Sequence, residues 1–276
     1  MPELPEVETI RKTLQHLVLE KKIEDVTVHW PKMIQHPDDI EQFRQLLIGE
    51  TIRDLGRRGK FLLFYLDQYV LVSHLRMEGK YRIVPASESV DKHTHVIFHF
   101  TDGTELHYND VRKFGTMHVF PIGEELTVKP LNQLGPDPFD ENYTFEYVCE
   151  KLKRTTRNIK ATLLDQTVIA GLGNIYVDEV LFLSRIHPEK RANELSEEEM
   201  KRIYENVRIV LEKAVKKGGT TIRSYVNGEG EMGMFQQELY VYAQNDKPCK
   251  HCGTEIVKLR VAGRGTHICP KCQVLS

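Results

Sequence analysis

Two groups of residues in this 276-residue chain have types and spacings that could do chemistry. The first is the start, Met1-Pro2-Glu3-Leu4-Pro5-Glu6-Val7-Glu8. A small second residue normally allows removal of the initiator methionine. The new terminus would be Pro2, a free secondary amine. Such an amine is nucleophilic when neutral, and with an aldehyde-like carbon it can only form a charged iminium. That is Schiff-base catalysis moved from a lysine to the terminus. An ordinary α-amine has a pKa of ~7.7–8.0, so a sizeable neutral fraction exists near neutrality. Glu3 places a carboxyl one residue away, suited to moving protons. The plainer alternative is that Pro2 is only a tolerated second residue.

The second group is Cys249-Lys250-His251-Cys252 and Cys269-Pro270-Lys271-Cys272, two C-x2-C pairs with sixteen residues between them. Four thiolates fill a tetrahedral zinc shell and leave no open position, so one structural Zn2+ is expected. About 30 residues bury too little to fold alone, and the metal would supply the deficit. Disulfides are the alternative, disfavoured in a cytosolic setting. Cys149 is left over as a plain buried residue. Val261-Ala262-Gly263-Arg264-Gly265-Thr266 reads as a hairpin tip that presents Arg264.

Elements must position these groups. Pro5 suits a first helical turn, and Glu6 and Glu8 suit a positive helix terminus. Val7, Ile10, Leu14, Leu17 and Val18 fall on one helical face, which predicts a leading helix aimed back at Pro2. Residues 23–121 read as β, with strands at 23–30, 60–66, 69–75, 80–84, 94–100 and 117–120. Asp102-Gly103 marks a hairpin. Many short strands after one helix imply a sandwich or open barrel.

Three loops stand out. Residues 56–60, Gly-Arg-Arg-Gly-Lys, put cations beside glycines and fix Lys60 at a strand start. His74 to Gly79 carries Met77, and Asp110 to Gly115 carries Arg112 and Phe114. A Met, an Arg and a Phe at loop tips suit a wedge for a DNA base stack. Otherwise Met77 and Phe114 are core residues at strand ends.

Gly135-Pro136-Asp137-Pro138 breaks both patterns and reads as a linker. Ser196 with Glu199 forms a capping box, followed by an apolar face at Met200, Ile203, Val207, Leu211 and Ala214, and a stop at Gly218-Gly219. Gly171 to Asn174 is a glycine turn between helices, able to offer backbone N–H groups to a phosphate or simply a helix hairpin. Five glycines between 218 and 233 suggest a loop that orders over a ligand or only connects.

No stretch approaches the ~18 apolar residues of a membrane span, and no signal peptide is visible, so the cytoplasm is expected and no membrane partner. The net charge of -2 argues weakly against a nucleic-acid binder. Its distribution does not, because residues 52–60, 151–160 and 244–276 are each locally basic. They are either one basic face or three unrelated solvated patches.

With these residues in place, the chain resembles the bacterial formamidopyrimidine-DNA glycosylase family along its full length. The likeness rests on Pro2 to Glu8, Gly59-Lys60, His74 to Gly79, Asp110 to Gly115, Gly171 to Tyr176, Phe235-Gln236-Gln237-Glu238 and Arg264-Gly265-Thr266-His267. The sister endonuclease VIII type usually has Gly where this chain has Leu4. The resemblance implies an α+β protein. Residues 1–130 would form a catalytic β-sandwich domain with a leading helix and 131–143 a linker. Residues 144–232 would form a helix-two-turn-helix domain and 233–276 a zinc finger.

It also implies a bifunctional glycosylase and abasic-site lyase of base-excision repair, removing oxidised purines (8-oxoguanine, formamidopyrimidines) from duplex DNA as a monomer at the bacterial nucleoid. Pro2 would attack C1′ while Glu3 protonates the sugar, Lys60 would assist β-elimination and Arg264 δ-elimination. Met77, Arg112 and Phe114 would fill the gap left by the flipped base, with Arg112 facing the orphaned cytosine. His74, Asn174, Tyr242, Lys258 and Arg264 would grip phosphates, with His93, Lys153, Arg154 and Lys160 nearby. Glu78, Thr220 and Ser224 would line the lesion pocket. Two departures bear on lesion preference: Ala243, where the family commonly has Gly, and the hydroxyls Thr220 and Ser224 in a variable loop. A lesion-binding protein without turnover, and a zinc-ribbon reader of intact sequence, are the competing classes.

Overall fold

The computed structural model describes residues 1–220 and 233–275. The chain divides into two compact units. The first holds Met1–Asn132 with residues 218–220 and 233, and the second holds residues 133–217 and 234–275. The helical segment and the cysteine segment therefore share one unit. Their joint core explains this: Phe182 packs with Val241, Ile256, Cys249 and Cys269. The expected linker is partly core as well, since Tyr143 is buried and stacked on Tyr204 at 5.0 Å.

In the first unit the helices are α1 (Leu4–Val18) and α2 (Ile40–Leu47). The strands are β1 (Ile23–Val28), β2 (Ile34–His36), β3 (Asp54–Arg58), β4 (Phe61–Tyr65), β5 (Tyr69–His74), β6 (Lys80–Pro85), β7 (Thr94–Phe100), β8 (Thr104–Asn109) and β9 (Thr116–Pro121). They form a four-stranded sheet, β1-β7-β8-β6, and a five-stranded sheet, β2-β9-β5-β4-β3. Apolar residues from both sheets share one core, including Val26, Phe98 and Leu106 from the first and Leu62, Phe64 and Val119 from the second. The leading helix buries Val7, Ile10, Leu14 and Val18 in it, as its spacing predicts.

Several elements differ from the sequence reading. Gly56, Arg57 and Arg58 lie on β3, and only Gly59 and Lys60 form the two-residue turn into β4. Gly59 takes φ 56°, which a glycine adopts without a Cβ clash. Four elements of this unit went unread: β2, β3, β8 and α2. The last is capped by Asp39, whose side chain accepts from the Gln42 N–H at 2.7 Å, and buries only Phe43 and Leu47.

The second unit holds α3 (Phe145–Lys153), α4 (Ile159–Leu164), α5 (Asn174–Ser184) and α6 (Glu197–Lys216), then the hairpin β10 (Val257–Val261) and β11 (Arg264–Ile268). The predicted capping box starts α6. Glu199 accepts from the Ser196 N–H at 2.8 Å, and Ser196 Oγ accepts from the Glu199 N–H at 3.2 Å. The hairpin turn is Ala262-Gly263, both at positive φ, as a two-residue turn matched to strand twist requires.

Candidate active site and zinc site

Strand pairing brings the chemistry of the first unit to one end of its sandwich. The last residue of β5, His74, pairs with Phe61 at the start of β4, so the Gly59-Lys60 turn lies beside His74. His74 also pairs with Thr116, the first residue of β9. Asn109, the last of β8, pairs with Lys80, the first of β6, and with Thr94, the first of β7. The loops 75–79 and 110–115 therefore cross between the sheets at the same end, and His93 precedes β7 there.

Helix α1 reaches that end too. It runs along β3: Gln15 bonds Asp54 at 3.0 Å, Arg11 bonds the Leu55 carbonyl at 3.0 Å, and Glu8 accepts from Arg57 at 3.1 Å. The contact climbs β3 as α1 is followed back toward its start. Pro2 and Glu3 thus head for the Gly59-Lys60 turn, whose Gly59 carbonyl accepts from Arg57 at 2.9 Å. Pro2, Glu3 and Lys60 are all buried. Burial pushes the Glu8 carboxyl up, but the Arg11 and Arg57 guanidiniums outweigh it and hold it below the usual range.

The first turn of α1 is fixed by Glu6. Its carboxylate accepts from the Glu3 N–H at 2.9 Å, and from the Thr220 N–H and hydroxyl at 2.8 and 3.1 Å. Thr220, expected to line a lesion pocket, is buried on Glu6 instead. A Cβ on Gly219 would come within 2.7 Å of the same carboxylate. Sequence reasoning credited Glu6 only with helix-dipole charge, although the Glu3-to-Glu6 spacing is itself a capping signal. Ser224 lies outside the described residues.

The loop tips are exposed. Met77 is 37% and Phe114 51% accessible, so neither joins the core. Arg112 stacks its guanidinium over Phe114, 4.7 Å from the ring centre. Asp110 holds this loop from below, its carboxylate accepting from the N–H groups of Arg112, Phe114 and Gly115 at 3.0, 2.9 and 2.8 Å. Glu78 is half-buried next to Met77. Burial, with Arg76 and Lys60 nearby, drives the His74 imidazolium down to about 3. Its Nδ1 accepts from the Arg76 N–H at 2.9 Å.

In the second unit α5 organises the site. Lys160 is fully buried, not at the surface as expected. It donates to Asp178 at 2.6 Å and Thr266 at 2.8 Å, so its charge fastens the hairpin. Asp178 also accepts from the His267 N–H at 2.9 Å. Asn174 donates to the Gly265 carbonyl at 2.9 Å. Glu179 accepts from the backbone N–H groups of Tyr240, Val241 and Tyr242. Burial still raises its carboxyl above the usual range despite those three donors.

These bonds bring Asn174, Tyr242, Lys258 and Arg264 to the hairpin, with Lys258 and Arg264 exposed. Lys153 and Arg154 are exposed at the end of α3, and Arg154 is paired to Glu150 at 2.8 Å. The basic stretch at 52–60 is largely compensated: Arg53 bonds Glu20 and Asp67, and Arg57 bonds Glu8. Ala243 takes φ 55°, the conformation that glycine at this position would adopt without strain.

The four cysteine sulfurs fit one metal ion. Neighbouring sulfurs lie 3.5, 3.6 and 3.9 Å apart, and all four fall within 4.8 Å of one another. A tetrahedron with Zn–S bonds of about 2.3 Å has edges of about 3.8 Å. They hold one structural zinc, with no position left for substrate.

Comparison with known proteins agrees with this geometry. Residues 1–117 match the family model of the formamidopyrimidine-DNA glycosylase N-terminal domain, 134–226 its H2TH domain, and 246–274 the zinc finger found in FPG and IleRS. A formamidopyrimidine-DNA glycosylase of Oceanobacillus iheyensis is 62% identical over 273 residues, 99% of this chain and 98% of that one. Among solved structures, wild-type Lactococcus lactis Fpg with N7-benzyl-Fapy-dG DNA is 44% identical with a TM-score of 0.93, covering 99% of this chain and 100% of that chain. A MutM complex with carbocyclic 8-oxo-G DNA is 43% identical with a TM-score of 0.92, over the same shares.

Proposed function

The chain belongs to the formamidopyrimidine-DNA glycosylase family, and on that premise we propose that the Pro2 amine is its nucleophile and Glu3 its proton-transfer group. The enzyme removes oxidised purines from duplex DNA and cleaves the strand as an abasic-site lyase. The single observation that carries the assignment of Pro2 is the course of α1 along β3, which delivers a buried Pro2 and Glu3 toward Lys60 and the two exposed loops.

The roles follow from what each side chain can do. Flipping a damaged base costs a few kcal/mol of stacking. Met77 and Phe114 are exposed, long apolar side chains able to fill the gap. Arg112, free to turn from Phe114, donates two hydrogen bonds to the unpaired cytosine. The Pro2 nitrogen adds to C1′ as Glu3 protonates the sugar oxygen, and the base leaves with the glycosidic electron pair. Ring opening gives an iminium, which draws electrons from C2′. Loss of the 2′ proton expels the 3′ phosphate, and Lys60 assists. Arg264 supports the second elimination at the 5′ phosphate.

His74 and His93 of the first unit, and Asn174, Tyr242, Lys258, Lys153 and Arg154 of the second, bind backbone phosphates. Lys160 acts through the hairpin it fastens. Glu78 borders the base pocket. The zinc supplies no chemistry and folds the finger that carries Arg264. The enzyme works as a monomer in the bacterial cytoplasm, at the nucleoid when acting.

Borohydride trapping on a duplex with one oxidised guanine opposite cytosine, followed by peptide mapping, tests the assignment. The expected adduct is on Pro2. An adduct on Lys60 would overturn it, and binding without any adduct would favour a lesion-binding protein.

A further inference from the structure

Tyr108, the penultimate residue of β8, is fully buried, and its hydroxyl has no hydrogen-bond partner among the described residues. Leaving a buried hydroxyl unpaired is unfavourable, so a fold keeps one only where something else requires it. The ring packs edge-on to Tyr81 at 5.0 Å, and Tyr81 by contrast satisfies its own hydroxyl on Ser73 at 2.7 Å.

The Tyr108 hydroxyl sits under both wedge loops. A Cβ at Gly115 would lie 1.8 Å from it, and one at Gly79 would lie 2.2 Å from it. Each glycine closes one of the two loops, and neither φ is positive. Their lack of a side chain therefore serves close approach, at Gly115 to the Tyr108 phenol alone and at Gly79 to the hydroxyl together with the Leu75 carbonyl, 2.6 Å from such a Cβ. One oxygen thus sets the height of the Met77 loop and of the Arg112–Phe114 loop together. Asp110 fixes only the second loop, and the Gly79 N–H bond to the Leu75 carbonyl at 2.9 Å fixes only the first.

We propose that Tyr108 is a positioning residue that couples the two wedge loops, its unpaired hydroxyl gaining a hydrogen bond when the loops seat in lesion DNA. The inference rests on the reading of Met77, Arg112 and Phe114 as the wedge. Because the hydroxyl has no partner among the described residues and would gain one in the seated state, it biases the loops toward seating. The gain appears only with DNA bound, which is how a differential contact shifts a population. Burial also holds the phenol well above its ordinary pKa, so it stays a donor at any working pH.

The chain carries an optical reporter. Trp30 is its one tryptophan, and Lys113 of the same loop lies over the ring at 4.1 Å. Seating should disturb that contact and the Trp30 emission. The test compares the wild type with Tyr108→Phe, which removes one oxygen and keeps the ring. Expected for Tyr108→Phe is an unchanged or higher melting temperature without DNA. With oxidised-guanine duplex, single-turnover excision should fall about three- to tenfold, the cytosine-over-adenine ratio should narrow, and the Trp30 emission change should shrink.

A lower melting temperature with these losses would make the hydroxyl an ordinary structural bond and overturn the proposal. Wild-type excision rate, ratio and emission change would also overturn it. Borohydride trapping at a preformed abasic site separates this from the reading beneath it. Both proteins should trap there, and failure of the wild type would count against Pro2 chemistry, not against Tyr108.

Discussion

The Pro2 terminus and the Arg264 hairpin are held in opposite ways. The start of α1 combines near neighbours, the Glu3 N–H on Glu6 three residues on and the Thr9 hydroxyl on the Pro5 carbonyl four back, with one distant clasp, Thr220 on Glu6 across 214 positions. The zinc hairpin is organised from far away. Lys160 reaches Thr266 across 106 positions, Asn174 reaches Gly265 across 91 and Asp178 reaches His267 across 89. At Pro2 the helix start itself supplies much of the geometry. A cation on a two-stranded ribbon has little core beneath it, so a metal and a buried ion pair hold it.

If that contrast is right, the two regions fail separately. Removing zinc with a chelator, or making Cys249→Ala, has the largest effect. The metal contributes about 10–16 kcal/mol to such a finger, so tight lesion binding should vanish while the first unit keeps its own unfolding transition. Gel shift and calorimetry on a zinc-assayed sample check this, and full affinity without zinc would erase the contrast. Asp178→Asn comes next. It leaves the Lys160 charge buried without its counterion, at a cost of about 3–5 kcal/mol. Denaturant unfolding should record that loss in the second unit alone.

Within the first unit the effects are smaller. Arg112→Ala should leave borohydride trapping intact but remove about 1–3 kcal/mol of discrimination. The ratio of excision opposite cytosine to that opposite adenine measures this directly. An unchanged ratio would mean that Arg112 does not read the opposite base. His74 matters only in acid. Its folded pKa is about 3 against an ordinary 6.5, so between these values the unfolded chain holds a proton that the folded chain lacks. Stability is therefore whole above pH 6.5 and falls as pH drops toward 3, by at most ~1.4 kcal/mol per unit. His74→Gln should flatten that share of the acid limb in thermal melts.

What could be read in the sequence follows the same divide. The face of α1, the Ser196 capping box and the cysteine ligands are local signals, and the structure has each of them, whereas the pattern around Met77 and Phe114 fits core residues at strand ends as well as loop tips, and only the structure shows both exposed. The sequence did not reveal that Lys160 is buried, because a lysine in a basic run looks the same whether it faces solvent or Asp178 eighteen residues on. It gave no sign that Thr220 would sit on Glu6, a contact across 214 positions. Arg53 and Arg57 read as a basic patch because their carboxylates, Glu20, Asp67 and Glu8, lie on other elements. Tyr108 carried no signal at all. Its meaning comes from two glycines on two different loops.

The central claim is that a free Pro2 amine does the chemistry. Acylated by a preceding residue, that nitrogen becomes a tertiary amide whose lone pair is delocalised into the carbonyl. It could then neither attack C1′ nor form an iminium. The decisive measurement pairs two preparations, one with Pro2 proven first by mass and one retaining Met1. Both are assayed by gel shift and by nicking of an oxidised-guanine duplex. The account predicts that both bind and only the first excises and nicks. Normal excision and nicking by the form that retains Met1 would contradict it.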